Sequence, residues 1–220
     1  MKSKYRKVAF IIGICLSLFS FFSWTTLSVN ANQSTDIIYK SATEYDYPPF
    51  SVITDGEADG FSVELLKAVA NEMDIKIEFA IDTWDHIKLQ LENGELDVLP
   101  LVGYSEEREA LFDFTVPYIV MRGNIFVRDD YTEITSEDDL YGKEIIVMQG
   151  DNSQEYAERM GFTDHLILVD TYSEAFELLS SGEYDAVLAQ SLVGLKLIND
   201  LSKDFTLAVA TNANSDYAHK

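Results

Sequence analysis

The regular alternation of short apolar segments with amphipathic segments limits the fold of this chain more than any other feature. The first half of the chain predicts alternating strands and helices at residues 37–42, 60–73, 75–81, 84–92 and 96–102. The second half predicts the same order at residues 144–148, 153–160, 165–169, 172–180, 185–189, 192–199 and 206–210. Strands that alternate with helices are typical of α/β proteins with parallel-rich sheets.

An internal similarity predicts two lobes of similar construction. The segments NGELDVLPL (93–101) and SGEYDAVLA (181–189) each place Gly-Glu at the end of a helix and an apolar segment after it. Because residues 96–102 are apolar on both faces, they predict a central parallel strand. We expect lobes at residues 32–122 and 123–213, and a cleft between two lobes is a usual site for a small molecule.

The first 31 residues have the pattern of an export signal. Four cations among the first seven residues precede an apolar stretch at residues 8–24, and small residues at 29–31 resemble a cleavage site. An uncleaved membrane anchor is the alternative, because the apolar stretch is almost long enough to cross a bilayer. Either interpretation predicts a periplasmic or extracytoplasmic location for the rest of the chain.

Charge and cysteine content exclude several classes of function. The net charge of −22 makes nucleic acid and anionic lipid poor partners. Cys15, the single cysteine, lies in the predicted signal, so the exported part has no disulfide, thiolate metal site or cysteine nucleophile. The three histidines form no metal-like pair, and no Gly-rich phosphate loop follows a strand. We therefore expect neither a cofactor nor a metal.

Arg108 is a candidate anion-binding residue in the segment GYSEEREALFDFTVPY (103–118). Ser105 is placed to cap a short helix whose first turn carries Arg108. Ligands of open α/β sheets sit beyond the carboxyl ends of strands, and a guanidinium matches the geometry of a carboxylate. The alternative is a surface ion pair of Arg108 with Glu107, Glu109 or Asp113.

Aromatic side chains gather at other strand and helix ends. Tyr47 lies in YPPF (47–50), and Phe61 and Trp84 each begin a predicted helix. Aromatic side chains clamp small ligands well, although most such residues belong to the core. The sequence by itself leaves both interpretations open.

Several motifs, taken in order, resemble the family 3 extracellular solute-binding proteins, the amino-acid-type periplasmic binding proteins. They are YPPF, GFSVELL, a tryptophan before a helix, GELDVLPL, SEEREALFDFTVPY, YGKEIIVMQG and GEYDAVLA. The resemblance runs from about residue 37 to the end of the chain. It implies a two-lobed type II periplasmic binding protein fold with a hinge between the lobes and no enzymatic activity.

The resemblance also implies roles for individual residues. Arg108 would bind the carboxylate of the solute, and the loop after VMQG would donate hydrogen bonds to the same group from the second lobe. The candidate ligand-binding residues are Glu44, Tyr47, Phe61, Trp84, Gly103, Ser105, Arg108, Asp151, Asn152, Ser153 and Gln190.

The sequence departs from the family pattern at three places. Leu101 and Gly103 stand where amino-acid binders usually have hydroxyl residues, and Gln190 stands where an aspartate usually receives the α-ammonium group. These changes favour a solute with a carboxylate but without the usual α-amino contact. The resemblance also implies that residues 214–220 begin the return crossing, so we expect the first lobe either to be finished in a longer protein or to be completed in a different way.

Three functions are compatible with the resemblance. The first is the sensor domain of a receptor that carries its own downstream transmembrane signalling module. The second is a free binding protein that delivers an amino acid to the membrane permease of an ABC transporter. The third is an enzyme similar to cyclohexadienyl dehydratase, in which Glu44 would be the general acid.

Overall fold

The computed structural model describes residues 37–201, 207–209 and 218–219. The predicted export signal at 1–31, Cys15 and all of the predicted return crossing except residues 218 and 219 lie outside the described residues. Within the described ranges, no helix combines the length and the apolar character needed to cross a membrane.

The first part of the chain is built on a parallel pair of strands. Its elements are β1 (Ile38–Thr43), β2 (Asp46–Tyr47), β3 (Ser51–Thr54), β4 (Glu57–Asp59), α1 (Phe61–Glu72), β5 (Lys76–Ile81), α2 (Trp84–Glu92) and α3 (Glu106–Glu109). Strands β1 and β5 pair in parallel along their whole length, with α1 in the connection between them. Strands β2, β3 and β4 form a separate antiparallel sheet. We call residues 38–109 the first lobe.

The prediction of a central strand at residues 96–102 is wrong. The segment makes a single parallel bridge, between Val98 and Ser41 of β1, and then leaves the sheet. Pro100 has no N–H group to donate to a neighbouring strand, and its carbonyl oxygen accepts from the Tyr118 hydroxyl at 2.7 Å. The Asp97 carboxylate also accepts from the Lys40 N–H of β1, at 2.7 Å. Apolar composition therefore did not identify a strand here.

The second part of the chain is built on a larger mixed sheet. Its elements are β6 (Met121–Arg128), a 3-10 helix (Glu137–Leu140), β7 (Ile145–Met148), α4 (Asn152–Met160), β8 (Leu166–Val169), α5 (Tyr172–Ser181), β9 (Ala186–Gln190), α6 (Ser191–Leu201), β10 (Leu207–Val209) and β11 (Ala218–His219). The strand order is β10-β6-β9-β7-β8, and β11 also pairs with β6. We call residues 121–201 the second lobe.

Parallel pairing dominates the centre of this sheet. Strand β7 pairs in parallel with both β8 and β9, and β6 runs antiparallel to β9. Every residue of β7 and β9 is buried, as expected for strands covered on both faces. The predicted α/β class with parallel-rich sheets is confirmed. The predicted lobe boundary at residues 122 and 123 falls inside the continuous strand β6 and stays a prediction.

Local sequence signals set several helix ends as predicted. The Ser105 hydroxyl accepts from the Arg108 N–H at 3.1 Å and caps α3. Ser136 and Asp139 form a capping box at the 3-10 helix. Gly161 ends α4 in the left-handed conformation, with φ of 64°.

Candidate functional site

The candidate site lies where the carboxyl ends of strands from both lobes meet. Glu44 directly follows β1, Trp84 begins α2 after β5, and Gly150 lies in the loop after β7. Carboxyl ends of parallel strands are the usual ligand sites of open α/β sheets. A small cavity of about 20 Å³ lies between these elements, which is room for about one water molecule.

The cavity brings together seven of the eleven candidate residues. Its lining also includes Leu101, which belongs to the apolar segment before Arg108, and Met121, the first residue of β6. The candidate residues that line it are Glu44, Tyr47, Trp84, Gly103, Arg108, Asp151 and Asn152.

Arg108 is buried and bridges the two lobes. Its side chain is 3% exposed, and its guanidinium pairs with Glu155 of α4, which lies in the second lobe. The distances from Glu155 Oε1 are 3.1 Å to Nε and 3.0 Å to Nη2. Nη1 donates to the Gly103 carbonyl at 3.2 Å. The alternative of a surface ion pair on α3 is therefore wrong, because the carboxylate partner comes from the other lobe.

The carbonyl oxygen of Gly150 is a second meeting point of the lobes. It accepts from Trp84 Nε1 at 2.8 Å, from Arg108 Nη2 at 3.0 Å and from Lys88 Nζ at 3.4 Å. The guanidinium carbon of Arg108 also lies 5.5 Å from the centre of the Trp84 ring. Each of the three donors belongs to the first lobe, so this one carbonyl connects both faces of the cleft.

Two further hydrogen bonds between the lobes involve neighbours in sequence of the site residues. Gln149 Nε2 donates to Asp85 Oδ2 at 3.2 Å. The Ser173 N–H at the start of α5 donates to Asp46 Oδ2 at 2.9 Å. Because the two lobes make these direct hydrogen bonds in addition to those of Arg108 and Gly150, the cleft in this structure is closed.

Four candidate residues lie outside the cavity lining. Ser105 caps α3, and the ring of Phe61, half of whose surface is exposed, packs 6.2 Å from the ring of Phe50. The Ser153 N–H donates to Asp151 Oδ1 at 2.8 Å, so the amide is engaged within its own loop. The Gln190 Oε1 atom accepts from the Val193 N–H at 2.9 Å and caps α6.

One carboxyl group of the site, that of Glu44, has a raised pKa. Burial raises the pKa of Glu44 well above its ordinary value of 4.5, and the carboxylates of Asp151 and Asp46 raise this pKa further. A neutral carboxyl can donate a hydrogen bond from its O–H group. Throughout the described ranges, no three His, Cys, Asp or Glu side chains are grouped to hold a metal ion.

Comparison with known families agrees with this geometry. The profile of the bacterial extracellular solute-binding proteins, family 3, matches residues 39–151. The chain belongs to this family. The match includes Glu44, Trp84, Arg108 and Asp151, and every residue that lines the cavity except Asn152 lies within it.

Several curated relatives of this family 3 protein are described as binding proteins. A probable amino-acid-binding protein of Bacillus subtilis, YxeM, is 30% identical over 72% of this chain. The L-cystine-binding protein TcyJ of Escherichia coli K12 is 30% identical over 78% of this chain. The chain spans 60% and 65% of the lengths of these two relatives.

The solved structures similar to this family 3 protein include a sensor domain and a binding protein. A histidine kinase sensor domain with similarity to periplasmic binding proteins is 28% identical, with a TM-score of 0.77 over 83% of this chain and 79% of its own. An ancestral arginine-binding protein bound to glutamine is 30% identical, with a TM-score of 0.72 over 78% of this chain and 77% of its own. These similarities confirm the two-lobed type II periplasmic binding protein fold.

The raised pKa of Glu44 predicts that the stability of the folded state depends on pH. A raised folded-state pKa means that the stabilisation from the protonated carboxyl is complete below pH 4.5 and is lost as the pH rises through the folded-state value. Glu44→Gln imitates the protonated form in this family 3 protein. We expect it to raise the melting temperature near neutral pH, where the wild-type protein has lost part of this stabilisation.

The control for this prediction is the pH series itself. Thermal melts of both proteins from acid to neutral pH should converge below pH 4.5, where the wild-type carboxyl is protonated in both states. A difference between the two proteins that stays constant across the series would contradict an origin in ionisation.

Proposed function

We propose that this family 3 protein binds a small solute with a carboxylate, an amino acid or a close relative, in the cleft between its lobes. The observation that carries the proposal is the convergence of Glu44, Trp84, Arg108 and Asp151 on one cavity at the carboxyl ends of strands from both lobes. The curated relatives that bind amino acids support the same class of solute.

Closure of the cleft would couple binding to a change of conformation. A solute favours the closed form only through contacts that it makes in that form and not in the open one. We propose that Arg108 provides the anchor from the first lobe and that residues 150–153 provide the contacts from the second. The cavity of about 20 Å³ is too small for an amino acid, so we infer that the solute enters an opened cleft.

We propose that the domain acts outside the cytoplasm as the sensor domain of a signalling receptor. The similarity to a histidine kinase sensor domain, with a TM-score of 0.77, supports this role. In such a receptor, the closed and open forms of the cleft would be the two states that a downstream transmembrane module distinguishes.

Transport is the second candidate role. The relatives of Haemophilus influenzae and Vibrio harveyi are described as probable or putative amino-acid ABC transporter-binding proteins. In that role the closed protein would present its solute to a membrane permease. The proposed binding event is the same, and the two roles differ in what responds to it.

Binding is tested by a thermal-shift screen of amino acids and carboxylic acids, followed by calorimetry. A solute at 100 times its Kd stabilises the folded state by about 2.7 kcal/mol, which corresponds to a rise in melting temperature of about 5–10 °C. A screen in which no amino acid or carboxylic acid raises the melting temperature would contradict the proposed function. Incubation with prephenate, followed by product analysis, tests the dehydratase alternative.

The two roles are separated in a strain that lacks the gene. Loss of uptake of the radiolabelled solute identified in the screen would support transport. Normal uptake with loss of the transcriptional response to that solute would support the receptor.

A further inference from the structure

One carboxylate oxygen of Glu155 contacts two cationic side chains of the opposite lobe. Glu155 Oε1 is 3.0 Å from Arg108 Nη2, 3.1 Å from Arg108 Nε and 3.0 Å from Lys88 Nζ. Arg108 and Lys88 belong to the first lobe and Glu155 belongs to α4 of the second lobe. The three side chains therefore form an ionic bridge across the closed cleft.

Glu155 uses the edge of Arg108 that a solute carboxylate would need. A guanidinium binds a carboxylate best through two neighbouring N–H groups, and Nε and Nη2 form such an edge. Both atoms already donate to Glu155, Nη2 also donates to the Gly150 carbonyl, and Nη1 donates to the Gly103 carbonyl. A solute carboxylate can take this edge only if Glu155 leaves it.

We propose that Glu155 is an intramolecular competitor for the carboxylate site of Arg108 and a latch that holds the cleft closed without solute. The competition rests on the proposed function, because it requires a solute carboxylate at Arg108, whereas the latch is a property of the protein alone. Glu155 and the solute carboxylate exclude each other. The side chain of Glu155 is 29% exposed, so it can swing into solvent, whereas Arg108 is 3% exposed and fixed.

The proposal predicts whether neutralising Glu155 raises or lowers the affinity for a carboxylate. A carboxylate tethered to the same chain competes at a high effective concentration, so every solute carboxylate must displace it. The apparent Kd is the intrinsic Kd divided by the fraction of protein in the binding-competent form. Removing the charge of Glu155 increases that fraction and leaves Arg108 without its carboxylate partner. Affinity for a carboxylate should rise when Glu155 is neutralised.

The experiment compares Glu155→Gln with Glu177→Gln, a control with the same change of charge at an exposed position of α5. Both are made in a Trp24→Phe background, so that Trp84 is the single tryptophan. Trp84 is 5% exposed and donates to Gly150 across the cleft, so acrylamide quenching of its fluorescence reports opening. The probes are L-arginine and L-glutamine, with agmatine as an arginine analogue that lacks the carboxylate.

We expect Glu155→Gln to increase quenching of Trp84 without solute and to tighten binding of L-arginine or L-glutamine by about tenfold, which corresponds to 1.4 kcal/mol. Binding of agmatine should tighten by a smaller factor, because agmatine has no carboxylate to compete with Glu155. Glu177→Gln should leave quenching and affinity unchanged.

Two results would overturn the proposal. Unchanged quenching in Glu155→Gln would mean that Glu155 does not hold the cleft closed. Weaker binding of the amino acids by this variant would mean that Glu155 supports the site instead of competing for it. If neither amino acid nor any other compound of the screen binds, the proposed function fails, and the quenching measurement still decides whether Glu155 is a latch.

Discussion

Replacing Arg108 with alanine is expected to lower the affinity for an amino-acid solute by about 100-fold or more, since a lost charge-assisted pair costs about 2–3 kcal/mol or more. The same substitution removes four hydrogen bonds, to Gly103, Gly150 and Glu155. Glu155 keeps Lys88 as a partner at 3.0 Å and is partly exposed, which limits the cost of leaving it without Arg108. We expect a stability loss of about 2–3 kcal/mol.

Two further variants separate the binding role of Arg108 from its role between the lobes. Arg108→Lys keeps the positive charge but lacks the planar fork, so it should recover only part of the affinity. In Arg108→Ala combined with Glu155→Gln, both members of the pair are removed, so the loss of stability should be smaller than the sum of the two single losses. Affinity should not recover. Calorimetry that finds the affinity unchanged in Arg108→Ala would refute the anchor.

Features that depend on neighbours in sequence could be predicted. The short helix capped by Ser105, the capping box of Ser136 and Asp139 and the end of α4 at Gly161 each require a particular residue at a fixed offset. The parallel order of β7, β8 and β9 follows from the alternation of strands and helices. These signals fix both the type of an element and its ends.

Pairing between distant segments could not be predicted in the same way. Residues 96–102 have the composition of a central strand, but a strand also needs an edge to pair with, and here only Val98 forms a bridge. Pro100 in the middle of the segment was the signal that could have warned against a strand.

The ionic partner of Arg108 illustrates the same limit within the site. Acidic residues at 107, 109 and 113 are nearer in sequence than Glu155, which is 47 residues away. Sequence proximity favoured the near acids, whereas the fold brings α4 against the cleft. The Gly150 carbonyl was also missed, because every residue carries a carbonyl and sequence does not indicate which one will face three donors.

Replacing Gly194 with alanine is expected to destabilise the second lobe by at least about 2 kcal/mol, which lowers the melting temperature by about 4–8 °C. A Cβ atom at this position of α6 would lie 2.2 Å from Cζ and 2.6 Å from Cε2 of Phe126. Phe126 is fully buried, and its ring is held edge-on at 5.2 Å by Phe176, so it has little room to move. The helix propensity of alanine offsets only about 1 kcal/mol of this cost.

Leu195→Ala is the matched control for Gly194→Ala, because residue 195 is the next position of α6 and is 46% exposed. Its effect on stability should stay within about 0.5 kcal/mol. Phe126→Leu shortens the side chain that the new Cβ would strike. The double variant Gly194→Ala with Phe126→Leu should therefore lose less stability than the sum of the two single losses. Thermal melts that show simple additivity would mean that Gly194→Ala destabilises the protein by a route other than contact with the Phe126 ring.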